Sequence, residues 1–237
     1  MHPDLVKLLD LQSRDLVLLD VTSRLDAVLA EIAALDDAVA QAGDAVERAG
    51  TTAREAAKRR DELEAKIESY RKMQERRRQK LEFVKGAKEV AALMAELDLA
   101  RSVLAKEEND WIRSADGVTA LEAAVGTAEQ ALAELREAQK PAREELDGRR
   151  AALDAERAEV MVAREQAAAL VERTLRLRYD KLRMTRSPNA VVALDGSACG
   201  ACYTTIPLNR RSQIRAGVLI DWCEACGVIL YAAEPVG

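Results

Sequence analysis

The chain has 237 residues and a formal net charge of −5, room for one or two domains. Aromatic residues make up only 3% and charged residues 32%, a balance that argues against a thick globular core and for long helices or coiled coil. No stretch approaches the ~20 apolar residues needed to span a membrane, so no membrane partner is expected.

The first residues, Met1-His2-Pro3-Asp4-Leu5-Val6-Lys7, lack a positive start followed by an apolar run. They do not read as a signal peptide, and a cytoplasmic location is expected. His2, the only histidine, is assigned to an unstructured start. Leu5, Leu8, Leu9, Leu16 and Leu19 are helical in spacing but fall outside the register that follows, which implies a helix beginning in a different packing.

From Leu25 a heptad register runs to Val84. One column begins Leu25, Ile32, Val39, Val46, Ala53 and its partner begins Val28, Leu35, Ala42, Ala49, Ala56. A second register starts at Val90, passes through Leu97, Leu104, Trp111, Val118, Val125 and Leu132, and is expected to continue to Leu177. Such repeats specify coiled-coil helices. Lys85-Gly86-Ala87 separates the registers. Glycine there is expected to take the left-handed conformation that ends a helix, and so short a connection makes the helices antiparallel neighbours. If Val84 meets Val90, facing core positions have numbers summing to 174. Ala49 then faces Val125, Ala53 faces Leu121, Ala56 faces Val118, and Ala142 faces Ile32. Small opposes large, as close packing requires. Pro141 should kink or restart the second helix. The basic cluster near the turn (Arg71, Lys72, Arg76, Arg77, Arg78, Lys80, Lys85, Lys88) faces Glu89, Glu96, Asp98, Glu107, Glu108 and Asp110. Self-neutralisation across the seam is the plainer account of it; phosphate binding is the alternative.

Beyond Leu170 the chain turns basic. Arg173, Arg176, Arg178, Lys181, Arg183 and Arg186 lie on an exit helix, and Arg210, Arg211 and Arg215 lie on a later loop or short helix. Pro188, with Ser187 and Asn189, marks the helix end and a domain junction. Ala190–Leu194 reads as a strand, Asp195-Gly196 as a turn, Thr204–Ile206 as a strand stopped by Pro207, and Val228–Tyr231 as a final strand.

All four cysteines fall in Cys199-Gly-Ala-Cys202 and Cys223-Glu-Ala-Cys226, with 20 residues between the pairs. Each C-x-x-C turns two thiolates toward one point, and two pairs complete a tetrahedral site. Soft sulfur ligands suit zinc, and a closed four-thiolate shell leaves no position for substrate. The expectation is one structural Zn2+, with Gly200 and Gly227 turning the backbone beneath it. Two disulfides are the competing account, but they suit exported proteins, whereas reduced thiols of the cytoplasm hold metal.

The fold class is therefore mainly α: a long antiparallel coiled-coil hairpin over 1–186, followed by a small β zinc ribbon over 187–237. A hairpin of two very long helices followed by C-x-x-C and then Cys223-Glu-Ala-Cys226-Gly-Val-Ile-Leu-Tyr231 resembles the bacterial C4-type zinc-ribbon, coiled-coil hairpin family. Lys88-Glu-Val-Ala-Ala-Leu93 is similar to that family's tip motif. Val228 stands where the family often has a basic residue and Val90 where it often has an aromatic one. The resemblance implies a non-enzymatic protein, since members are linked to sigma-54-dependent flagellar gene control and to RNA binding.

The leading expectation for function is binding to nucleic acid, or to transcription-related machinery, through the nine cations above. Tyr203, Trp222 and Tyr231 nearby offer faces for stacking bases, although the small core of the ribbon is the plainer account for Trp222 and Tyr231. The alternative is a purely protein–protein scaffold with a structural zinc ribbon. No catalytic residue is assigned: there is no glycine-rich phosphate loop, and His2 is the only histidine available as a base. No small-molecule substrate is expected.

Overall fold

The computed structural model describes residues 1–186 and 188–233, the side chain of Arg186 excepted. The expected contact by Arg186 and the expected helix-ending role of Ser187 lie outside the described residues. The elements are α1 (Pro3–Phe83), α2 (Ala87–Ala169), α3 (Arg173–Arg186), β1 (Val191–Asp195), β2 (Ala198–Cys199), α4 (Leu208–Ala216), β3 (Asp221–Trp222) and β4 (Ile229–Tyr231). Contacts group the chain into two units, Met1–Ile32 with Glu144–Gly237, and Ala33–Arg143.

In the Ala33–Arg143 unit, the two heptad columns of α1 are buried or half-buried throughout, and the positions between them are mostly exposed. Ala53, Ile67, Leu97 and Val118 are buried seam residues. The pairing is antiparallel, and Gln139 Nε2 donates to the Leu35 carbonyl at 3.3 Å, a pair whose numbers sum to the expected 174. Salt bridges flank the seam: Arg71 to Glu108 at 2.6 Å, Arg77 to Glu96 at 3.3 Å, and Arg143 to Asp36. Arg76, Arg78, Lys80, Lys85 and Lys88 have no ion-pair partner among the described residues, so the basic cluster neutralises itself only in part. At the turn, Gly86 does not take positive φ. It acts instead as the first turn of α2, its carbonyl accepting the amides of Glu89 (3.0 Å) and Val90 (2.9 Å). Helix α2 runs unbroken through Pro141, and Ala142 is exposed rather than a seam residue.

In the other unit the expected second register stops early. Helix α2 ends at Ala169, and α3 begins only at Arg173, so Leu170 and Leu177 are exposed. The cause is local. Glu172 caps α3, its carboxylate accepting the amides of Thr174 (2.9 Å) and Leu175 (2.8 Å), which holds that carboxyl below its usual range. A side-chain acceptor at this position satisfies orphan amides that a continuous helix would not have.

The first residues of α1 pack as the sequence implied, outside the heptad seam. Leu5, Leu8 and Leu11 join Ala167, Ala168, Val171 and Tyr179 in one core, together with Val191 and Ile229 of the sheet. Leu16 and Leu19 stay exposed. The start is also ordered: His2 Nδ1 accepts the Asp4 amide at 3.2 Å, and its carbonyl accepts those of Leu5 and Val6. His2 thus caps α1 rather than belonging to an unstructured tail.

The sheet has the order β2-β1-β4-β3, with β1 parallel to β4 and the other pairs antiparallel. Thr205 makes only an isolated bridge to Ala198, so the expected strand over Thr204–Ile206 is not formed. Leu208–Ala216 is a helix closed by Gly217 at φ 70°. Successive residues of β4 serve opposite faces, as strand geometry dictates. Ile229 packs on the helices, while Leu230 joins Cys199, Ile206, Ile214, Cys223 and Val228 beneath α4. A strand covered on both faces explains the unbroken apolar run at Val228–Tyr231.

A four-thiol centre and the basic helix beside it

Two backbone loops of the same geometry present the cysteines. In the first, the Tyr203 amide donates to the Cys199 carbonyl at 2.8 Å and the Cys199 amide to the Thr204 carbonyl at 2.9 Å. In the second, Gly227 donates to Cys223 and Cys223 to Val228, each at 2.8 Å. The residue after each pair takes positive φ, 80° at Gly227 and 57° at Tyr203. Glycine does this freely; a side chain there crowds its own carbonyl. Sequence reasoning identified Gly227 but not Tyr203, whose role follows only from its matching place after the first pair. Gly200 serves differently: a Cβ there would lie 2.5 Å from the Ala193 carbonyl oxygen, so the loop needs close approach rather than a turn.

The four sulfur atoms lie within 4.8 Å of one another and form a group that could hold a metal ion. Cys199 and Cys226 sulfurs are 3.8 Å apart, and those of Cys202 and Cys223 3.5 Å. A tetrahedron of thiolates at ~2.3 Å from a central ion has edges of ~3.8 Å, so the donor set fits a four-coordinate thiophilic ion. None of the four is in a disulfide. Burial pushes the Cys226 thiol up to about 12 and raises Cys199 also, whereas Thr204, whose hydroxyl lies 3.3 Å from Cys202 Sγ, lowers Cys202 to about 6. Cys199 and Cys226, raised by burial, stay neutral unless a cation joins the group.

The nine candidate contact residues separate into groups. Arg210 is engaged within the fold: it makes two bonds to Asp221, at 2.6 and 2.7 Å, and others to Glu224 (2.6 Å) and the Trp222 carbonyl (2.8 Å). Asp221 opposes burial of its charge through this arginine and the Trp222 amide, and its carboxyl sits below the usual range. The pairing explains why Arg210 sits here. In β3 the amide and carbonyl of Trp222 face away from β4, and Asp221 and Arg210 satisfy both, closing a sheet edge. Arg215 donates to the Gly196 carbonyl at 3.2 Å, and Arg211 is half-buried with its Nε unpartnered.

Arg183 is also engaged internally. Its Nη1 lies 2.5 Å from Asp15 Oδ1, a carboxylate that further accepts from Tyr179 (2.7 Å) and Arg164 Nε (3.1 Å). Arg164 bridges on to Asp180 at 2.8 Å, tying α1, α2 and α3 into one buried polar knot. Burial and the Asp15 carboxylate raise the Tyr179 phenol well above its ordinary value. No sequence signal marked Asp15, because its partners lie 149 to 168 residues away.

Arg173, Arg176, Arg178 and Lys181 remain. None has an ion-pair partner among the described residues. Arg178 lies over the Trp222 ring, 3.7 Å from its centroid. Trp222 is 42% exposed, so the expected core role fails for it, while Tyr231 packs against the helix-side core. Tyr203 is 71% exposed.

Solved structures share this fold. CT398 from Chlamydia trachomatis superposes with a TM-score of 0.86 at 17% identity, covering 97% of this chain and 98% of that one. The HP0958 protein from Helicobacter pylori gives 0.69 at 13% identity, with 98% of each chain covered. A protein from Mycobacterium smegmatis gives 0.64 at 22% identity, covering 96% of this chain and 97% of that one. No curated protein matches the sequence. The CT398-like coiled coil hairpin domain matches residues 11–187, and the chain belongs to that family.

Proposed function

We propose that this protein is a non-enzymatic adaptor of the cytoplasm: a coiled-coil hairpin scaffold that carries a zinc ribbon and contacts nucleic acid through the basic surface of α3. One observation carries the reading. Four cations, Arg173, Arg176, Arg178 and Lys181, lie within three turns of one helix and are unpaired among the described residues, while nearby Asp15, Asp180 and Asp221 already have cationic partners. Unpaired cations at such density favour a polyanion, whose condensed counterions they release. Cys199, Cys202, Cys223 and Cys226 would hold one Zn2+, which supplies a cross-link to a unit too small to bury much apolar area. Four mutually adjacent thiolates fill a tetrahedral shell, which supports a structural rather than a catalytic ion. Resemblance to proteins linked to RNA binding and sigma-54 points to transcription-related partners.

A second reading, a protein-only scaffold, draws on the internal use of Arg183, Arg210 and Arg215. Mobility shift of a mixed single-stranded RNA by the zinc-loaded protein separates the two. The adaptor reading expects a shift that the double variant Arg173→Ala/Arg176→Ala removes. Equal retardation by wild type and variant, or no shift at low salt, favours the scaffold.

A further inference from the structure

A groove of about 770 Å³ runs between α3 and the C-terminal sheet. Leu175, Leu177, Leu182, Ile220, Trp222 and Ile229 line it together with the cations Arg178 and Lys181. We propose that this groove binds one amphipathic α-helix of a protein partner, apolar face inward and acidic flank against Arg178 and Lys181.

Three features select that occupant. The first is that the adjacent sheet edge is closed. Asp221 accepts the outward amide of Trp222 at 2.8 Å and Arg210 donates to its carbonyl at 2.8 Å, so a partner strand finds no free ladder bonds on β3. Docking must therefore use side chains, as when an amphipathic helix lies in a groove. The second is charge. Glu172, the one carboxylate among the lining residues, is turned to the amides of Thr174 and Leu175. Arg178 and Lys181 thus have no anionic partner of their own among the described residues, and acidic side chains complement them. The third is the chemistry of the walls. Leu175, Leu177, Leu182, Ile220 and Ile229 make them mainly aliphatic, Trp222 is the one aromatic residue among them, and Arg178 covers one face of that ring at 3.7 Å. Stacking of successive nucleobases uses several aromatic faces, and this groove has a single aromatic residue with one face already occupied. Helix α3 has 14 residues and is therefore ~21 Å long, which matches a partner helix of three to four turns.

The groove shares Arg178 and Lys181 with the proposed nucleic-acid surface, so each is tested with its own probe and its own variants. A fluorescein-labelled 14-residue peptide, with leucines at helical i, i+3, i+4 spacing and glutamates elsewhere, is titrated with the full-length, zinc-loaded protein. Anisotropy reports binding, and Trp222 emission in a Trp111→Phe background reports the site. Leu177→Glu changes a side chain that is 59% exposed, and Lys181→Glu one that is also exposed, so neither touches the core. Each variant is expected to weaken binding at least tenfold with an unchanged melting curve. A peptide of the same composition in shuffled order is expected to bind at least tenfold more weakly. Equal binding by the shuffled peptide, or by both variants, overturns the proposal. So does a Trp222 response to a 14-nucleotide oligothymidylate but not to the peptide. Loss of RNA binding in Arg173→Ala/Arg176→Ala leaves the groove's result unaffected.

Discussion

Removing the Tyr179 hydroxyl tests the polar knot that joins α1, α2 and α3. Tyr179 is fully buried and donates at 2.7 Å to Asp15, whose side chain is 5% exposed and also bound by Arg164 and Arg183. A hydrogen bond to a charged group contributes ~1.5–3 kcal/mol, so Tyr179→Phe should cost about 2 kcal/mol. Asp15→Ala is worse, because it leaves two guanidinium groups facing each other and the phenol unsatisfied; about 3–5 kcal/mol is expected. Combined, the two changes should cost clearly less than their sum, since the same bond is removed twice. The assay is urea unfolding followed by circular dichroism and by hydrogen exchange at Leu8, Leu11 and Val171. A pH series adds an independent reading. Burial, then Asp15, raises the Tyr179 phenol above its unfolded value of about 10. Below that pH the stabilisation is fully present. Above it the unfolded chain releases a proton that the folded chain retains, so stability falls with rising pH. Tyr179→Phe should flatten that alkaline loss relative to wild type. Additive costs in the double variant, or an alkaline profile unchanged in Tyr179→Phe, would refute the reasoning.

The remaining predictions concern the C-terminal unit. Tyr203→Gly should leave it as stable or up to ~1 kcal/mol more stable, and Gly227→Ala should cost ~1 kcal/mol, because both residues sit at positive φ; thermal melts of the zinc-loaded protein measure both. Arg210→Ala strands the Asp221 carboxylate at a sheet edge and should destabilise the unit by about 3 kcal/mol, read as faster amide exchange in β3 and β4. Removing the metal with a strong chelator, or replacing Cys199 with serine, should abolish amide protection in β1 and β4. Helicity of residues 33–143 should survive, since no cysteine lies there; collapse of both would contradict it.

How much of this was legible in the sequence depends on the range of the forces involved. The seam at Ala53, Ile67 and Val118 repeats every seven residues, so periodicity alone located it, and Gln139 with Leu35 kept the pairing. The cysteines were equally plain, because C-x-x-C spacing is local geometry. The end of α2 was not. Leu170 and Leu177 continue the apolar pattern, and what interrupts it is Glu172 turning back to cap α3. Apolar spacing is blind to a cap. Arginines were hardest, since composition cannot separate a free cation from one closing an edge. Arg210 and Arg173 look alike in the chain, and only the fold sets Asp221 beside the first. Gln12 shows the same limit: its side chain pairs with the Val191 backbone at 2.7 and 2.9 Å, across 179 residues.

Salt dependence of RNA affinity tests the proposed adaptor most directly. Anisotropy of a labelled 12-nucleotide RNA, titrated with zinc-loaded protein at several salt concentrations, gives the slope of log affinity against log salt. Single strands contribute ~0.7 to that slope for each phosphate neutralised. With Arg173, Arg176, Arg178 and Lys181 engaged, a slope near −3 is expected, falling by ~1.4 in Arg173→Ala/Arg176→Ala. Arg210→Ala should leave the slope unchanged. A wild-type slope near zero, or one that the double variant does not alter, would contradict a nucleic-acid surface on α3.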